Sequence, residues 1–181
     1  MRALAGRKGL RRLLVARIVG GAPHEGRLVA GALTLRCALG RAGLSRDKRE
    51  GDGATPRGDI KLLYAYVRPG RFSRAHVTQS LRTLRKGYVW CDDPGSFFYN
   101  RFVAARGAWR CEELYRADRL YDFVGVLDYN LAPRVRGRGS AIFFHVATDD
   151  LAPTAGCVAL RARDLARLVP RLAKGASLVL R

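Results

Sequence analysis

The chain runs Gly139-Ser140-Ala141-Ile142-Phe143-Phe144-His145-Val146-Ala147, then a polar loop, then Pro153-Thr154-Ala155-Gly156-Cys157-Val158-Ala159-Leu160. Ile142 to Val146 is apolar enough to be a strand buried on both faces. His145 stands near its end, and Cys157 follows a glycine and opens a new apolar segment. A connecting loop of ordinary length can bring imidazole and thiol together. That pairing has a chemistry. A free thiol is protonated at neutral pH, and a neighbouring imidazole can take its proton and later return it to a leaving amine. Gly156 lets the backbone turn tightly, so that its own N–H and that of Cys157 are candidates for an oxyanion hole. Taken singly, a histidine in an apolar strand is ordinarily a satisfied core residue, and a Gly-Cys pair is ordinarily small buried packing. Order and spacing argue for the pair. Papain-like enzymes place Cys far ahead of His, and caspase-like enzymes place His ~50 residues upstream of the nucleophile. Neither matches a His one short loop before the Cys.

Outward from this core, the chain reads as short strands. Leu13 to Val19, Arg27 to Ala30, Leu33 to Leu39, Ile60 to Val67, Leu120 to Leu127 and Ser177 to Leu180 carry strand patterns. Arg46 to Asp59 is dense in charge, Gly and Pro and is expected to be an exposed loop. Thr78 to Leu84 is expected to form a short helix, Cys91 to Arg101 is turn-rich, and Arg134 to Ser140 is a basic, Gly-rich loop. Leu165, Leu168, Val169 and Leu172 share one helical face, which predicts a helix over 161–173 that Pro170 shortens or kinks and Gly175 caps. The fold class expected is mostly β, one domain with one or two helices.

At 181 residues the chain suits a single domain, with 1–11 as a basic N-terminal segment and 12–181 as the folded unit. The 34 Lys and Arg against 15 Asp and Glu give +19, mostly arginine, a field that attracts polyanions. The arginines are scattered from Arg2 to Arg181 and not interleaved with aromatics on one stretch, so a nucleic-acid-binding module is the weaker alternative. No apolar run approaches the ~20 residues of a membrane span. The first residues resemble the basic start of a signal peptide, but Leu13 to Gly21 is short, is broken by Arg17 and has no convincing cleavage site. Of the four cysteines, Cys37, Cys91 and Cys111 read as structural thiols, and none is spaced for zinc or a C-x-x-C redox pair. His24 and His76 are expected in solvent, and Glu112 and Glu113 in pairs with surface arginines. No metal cluster is expected.

These motifs resemble the L,D-transpeptidase catalytic domain, the YkuD-like family. In that family a strand ending in His is followed by a loop and Ser/Thr-x-Gly-Cys, here His145 and Thr154-Ala155-Gly156-Cys157. Gly51-Asp52-Gly53-Ala54-Thr55-Pro56-Arg57-Gly58 is similar to the family's Gly-rich loop before a strand. Trp90-Cys91-Asp92-Asp93-Pro94, Tyr99-Asn100-Arg101, Tyr121-Asp122 and Asp128-Tyr129-Asn130 look like a proteobacterial branch. The likeness spans roughly 12–181. It implies two packed sheets with a cleft, Cys157 as nucleophile, His145 as base, and Gly156 and Cys157 as the oxyanion hole. Tyr129, Asn130, Thr154, Trp90 and Asp92 are then expected along the substrate groove. Val146 where many members have Gly and Ala155 where they often have a polar residue imply an altered cleft wall, and Ala159 where they commonly have Arg removes a possible carboxylate contact that bears on donor or acceptor specificity. The reaction implied is acyl transfer on peptidoglycan stem peptides through a thioester, to an amine of a second stem or of an acceptor protein. Resolution by water would instead make an L,D-carboxypeptidase or cross-link hydrolase. The reaction implies a periplasmic location, although no clear signal peptide is legible. No cofactor is expected, and a monomer is.

Overall fold

The computed structural model describes residues 9–74 and 77–181. Most of the basic N-terminal segment and His76 therefore lie outside the described residues. In chain order the strands are β1 (Leu10–Arg17), β2 (Glu25–Ala30), β3 (Leu33–Ala38), β4 (Leu44–Ser45), β5 (Thr55–Pro56), β6 (Gly58–Val67) and β7 (Leu81–Thr83). After them come β8 (Val89–Cys91), β9 (Arg101–Val103), β10 (Cys111–Glu113), β11 (Phe123–Leu127), β12 (Phe143–Val146) and β13 (Val158–Leu160). Helix α1 (Ala162–Leu168) and strand β14 (Leu172–Leu180) end the chain.

Nine strands form one sheet in the order β11-β12-β13-β3-β2-β1-β14-β6-β7, and β11 also pairs with β6. That extra pairing closes the sheet on itself, so its two halves pack face to face around one interior core. β6 is long enough to pair with β14 through residues 58–61 and with β7 through residues 65–67. A three-stranded sheet, β10-β8-β9, and a two-stranded one, β4-β5, complete the mostly β domain expected from the sequence. Among the described residues no helix is long and apolar enough to cross a membrane.

Alternation along the strands sorts the side chains between two cores. Phe123 and Leu127 of β11, Phe144 and Val146 of β12, and Val158 and Leu160 of β13 point inward and pack with Leu165, Leu168, Val169 and Leu172. Val124, Val126 and Phe143 point outward, against Trp90, Leu114 and Tyr121 beside the small sheet. Parallel pairing of β12 with β13 sets His145 opposite Ala159. His145 therefore shares the outward face with Phe143, and Cys157 shares it with Ala159.

Four local expectations differ from the structure. The C-terminal helix ends at Leu168, because Pro170 has no N–H to continue it; a 3₁₀ turn over Val169–Arg171 leads straight into β14. Gly175 (φ +71°) caps nothing and lies inside β14, where the pairing with β1 jumps from Leu10–Leu172 to Arg12–Ser177. Within 78–84, Leu81–Thr83 form a strand and no helix, since the free upper length of β6 offers them a partner. The segment 46–59 is exposed only in part: Lys48 and Gly53 to Pro56 are buried.

Candidate active site

His145 and Cys157 open into one cleft of about 560 Å³. The floor comes from the outward faces of β12 and β13, and the 46–54 loop and the small three-stranded sheet form the walls. The imidazole is 6% exposed, and its Nδ1 lies 2.7 Å from the Val146 carbonyl. An Nδ1–H donated there leaves Nε2 as the free, basic nitrogen. Tyr121 packs edge-on against the ring, centroids 5.2 Å apart, and its hydroxyl donates to Glu112. Burial brings the imidazole down to about 4, although the Val146 and Leu120 carbonyls pull the other way. At neutral pH it is an uncharged acceptor.

Cys157 is held in the protonated form. Its thiol donates to the Ala141 carbonyl at 3.3 Å, and the Phe143 N–H approaches the sulfur at 3.3 Å. Burial, and secondarily the charge of Glu112, push the thiol well up, while the Phe143 N–H and the Lys48 ammonium oppose them. A low-pKa thiolate at rest, the ordinary picture of a reactive cysteine, is not what this site holds.

The loop entering Cys157 is fixed from both sides. Gly156 has φ +147°, and a Cβ there would stand 2.8 Å from the Ala54 carbonyl oxygen, so only glycine fits. The Thr154 hydroxyl accepts the Gly156 N–H at 3.1 Å and donates to the Cys157 carbonyl at 2.8 Å; Thr55 also reaches that carbonyl, at 3.4 Å. Thr154 thus braces the turn with its polar atoms. Because the Gly156 N–H is engaged by Thr154, the amide of Cys157 is the better placed of the two for an oxyanion.

The other expected groove residues divide. Asp92 lines the cleft, with Oδ2 3.2 Å from Arg110 Nε and Oδ1 buried without a partner. Trp90 lies beneath the surface, edge-on to Phe143 at 5.2 Å, and donates from Nε1 to Asn100 at 2.9 Å. Tyr129 and Asn130 do not line the cleft. The Tyr129 hydroxyl donates to the Arg138 carbonyl, and the Asn130 amide bonds Val135 and Gly139, so both organise the 131–139 loop.

Several cleft residues escaped sequence reasoning. Lys48, read as part of a solvated charge run, has a side chain only 4% exposed; its Nζ donates to Asp52 at 2.5 Å and to the Arg49 carbonyl at 2.6 Å. Its aliphatic carbons pack against the glycines at 139 and 156. Glu112, expected to meet surface arginines, faces the cleft, where burial pushes its carboxyl up and the Tyr121 hydroxyl counters. Glu50 accepts from Tyr99 at 2.5 Å and Ser140 at 2.8 Å. Buried Asn100 (φ +52°) accepts from Trp90 and from the Ala141 N–H, and donates to the carbonyls of Tyr129 and Asn130. It ties the small sheet to the peptide whose carbonyl holds the Cys157 thiol. The only advance sign of it was the Tyr99-Asn100-Arg101 motif.

No curated protein and no solved structure matches the chain. A family model for the L,D-transpeptidase catalytic domain, YkuD, matches residues 24–180, which include both walls of the cleft, its histidine and its cysteine. By that match the chain belongs to the L,D-transpeptidase catalytic domain family.

Proposed function

We propose that this chain is a cysteine acyltransferase of the L,D-transpeptidase type, with Cys157 as nucleophile and His145 as base. The observation that carries the reading is the shared cleft: a neutral imidazole, tied at Nδ1 to the Val146 carbonyl, opens into the same space as the Cys157 thiol. Family membership brings the substrate class, peptidoglycan. The donor is a stem peptide whose terminal D-Ala follows a diamino acid. As its carbonyl approaches, the thiol proton passes to His145 Nε2 and sulfur attacks the carbonyl carbon. The Phe143 N–H and the Lys48 ammonium favour the anion as it forms. The Cys157 N–H takes the oxyanion, as a preorganised donor does. His145 then gives its proton to the departing D-Ala amine and leaves a thioester on Cys157. An acceptor amine, on a second stem or an attached protein, loses a proton to His145, attacks the thioester and restores the thiol. The reaction belongs on the periplasmic side, where this polymer lies.

The resting thiol has a consequence for selectivity. With both partners neutral, proton transfer is uphill until substrate enters, so the transfer is driven by the carbonyl that the sulfur attacks. The test is mass spectrometry of the protein incubated with a disaccharide tetrapeptide. A thioester adduct on Cys157, absent from Cys157→Ala, is expected. No adduct on Cys157, or one that persists in the variant, overturns the assignment; cross-linked dimer against tripeptide among the products decides transfer against hydrolysis.

A further inference from the structure

Cys91 and Cys111 are direct partners across the antiparallel pair of β8 and β10. Both are reduced in the structure, Cys91 fully buried and Cys111 half-buried. The hydrogen bonds at either end give the phase of the ladder. Asp92 N–H donates to the Arg110 carbonyl at 3.3 Å, and Leu114 N–H to the Tyr88 carbonyl at 3.0 Å. Bonded pairs in such a ladder alternate with non-bonded ones. The pairs 88/114, 90/112 and 92/110 are therefore bonded, and 91/111 falls on a non-bonded position. There the Cα atoms stand ~4.5 Å apart with both side chains on one face, within the span a disulfide bridges. Cys37, by contrast, lies on β3 of the large sheet, paired with Leu160 and Gly26.

We propose that Cys91 and Cys111 form a redox site that closes to a cross-strand disulfide when a small-molecule disulfide is the oxidant. The Cys111 thiol, the more accessible of the two, loses its proton and attacks one sulfur of the oxidant, whose S–S bond breaks and releases one thiol. Cys91 then loses its proton and attacks the Cys111 sulfur of the mixed disulfide, releasing the second thiol. Two protein thiols are oxidised and one disulfide is reduced to two thiols, so atoms and electrons balance. The closed loop encloses residues 92–110, with Asp92 and Arg110, which line the cleft, at its two ends. Trp90 and Glu112 point to the opposite face of the small sheet, so the new bond does not occupy the cleft.

The test holds the full chain in a mixture of reduced and oxidised glutathione, then quenches with acid, unfolds it, labels its thiols and weighs it. A protein lighter by two hydrogens, with two thiols protected and one proteolytic fragment joining Cys91 to Cys111, is expected. The same result should appear in Cys157→Ala, where adducts on the nucleophile cannot confuse the mass. Oxidised protein should melt ~5 °C or more above reduced protein, because closing this loop constrains the unfolded chain. The gain should vanish in Cys111→Ser, a change at an edge strand. Four labelled thiols, a stable glutathione adduct on Cys111 without the cross-link, or a cross-link to Cys37 would overturn the proposal. None of these outcomes depends on the acyltransferase reading.

Discussion

The Cys157 thiol donates its hydrogen to the Ala141 carbonyl at 3.3 Å, a bond that only the protonated sulfur can make. Ionisation breaks it and leaves the carbonyl facing an anion. Burial, and secondarily the nearby Glu112 carboxylate, hold the thiol above its ordinary value. Alkylation of Cys157 by iodoacetamide should therefore be slow at neutral pH and still be rising above pH ~9, past the ordinary thiol range. A thiolate–imidazolium pair would instead give a plateau reaching down to mildly acid pH. A rate at pH 7 equal to or above that of free cysteine would contradict the neutral-pair geometry.

His145 makes folding itself pH-dependent. Its ring titrates at about 4 when folded, against 6.5 as an unperturbed group. As pH falls below 6.5 the unfolded chain takes up a proton that the folded chain refuses, so stability present at neutral pH is lost between 6.5 and about 4. The size is ~3 kcal/mol for a fully buried imidazole, by the linkage of proton uptake to folding. Urea unfolding of wild type and His145→Ala at a series of pH values should converge by about that amount on acidification. Parallel pH profiles for the two proteins would show that His145 takes no part.

Much of the fold, and the meeting of His145 and Cys157 in one cleft, were legible because they rest on short-range pattern. Leu165 and Leu168 announced the buried face of α1, and Val169 and Leu172, which stand in the 3₁₀ turn and β14, are buried beside them. The apolar run around His145 announced a strand covered on both sides. What stayed hidden depends on partners distant in sequence. Lys48 sits in a charged, Gly-rich stretch whose local composition is that of a solvated loop, and only its packing on the glycines at 139 and 156 shows it to be buried. β8, β9 and β10 have three residues each, too few for alternation to stand out, so the small sheet is not legible as a wall; Asp92 is expected in the groove only through the family resemblance, and Glu112 not at all. Tyr129 and Asn130 have the composition of cleft residues and the bonding of a turn. Polar side chains near a site serve either purpose, and only geometry separates the two.

Gly156 admits no side chain. A Cβ would meet the Ala54 carbonyl oxygen, a backbone atom, at 2.8 Å, with φ at +147°. Gly156→Ala should cost ~1–3 kcal/mol from strain of this kind, readable as a lower urea midpoint with unchanged slope. Relief of that strain must move the Cys157 turn, so the variant should lose acyl-adduct formation even where it remains folded. Thr154→Val, which removes the hydroxyl bridging Gly156 N–H and Cys157 carbonyl, should slow adduct formation by about fivefold, one hydrogen-bonded brace being worth ~1 kcal/mol. Adduct formation at wild-type rate in folded Gly156→Ala would show that the turn does not position the sulfur.

Lys48 contributes a favourable charge at the sulfur. Its ammonium is buried and donates to Asp52 and the Arg49 carbonyl, and its charge favours the Cys157 thiolate where Glu112 opposes it. Lys48→Met keeps most of the aliphatic stem against Gly139 and Gly156 while removing the cation. Two effects should follow. Stability falls by ~1–3 kcal/mol, because Asp52 loses its charged partner but keeps the N–H groups of Arg49 and Ala54. Adduct formation at Cys157 also slows, because the cation that favours the forming thiolate is gone. A purely structural lysine would give the first effect without the second. The matched control is Asp52→Asn, which loosens the same loop but retains the cation; it should destabilise without raising the thiol. The pH–rate profile of Cys157 alkylation separates the cases, moving to higher pH in Lys48→Met and staying in place in Asp52→Asn. Coincident profiles for wild type and Lys48→Met would remove Lys48 from the chemistry and leave it as packing.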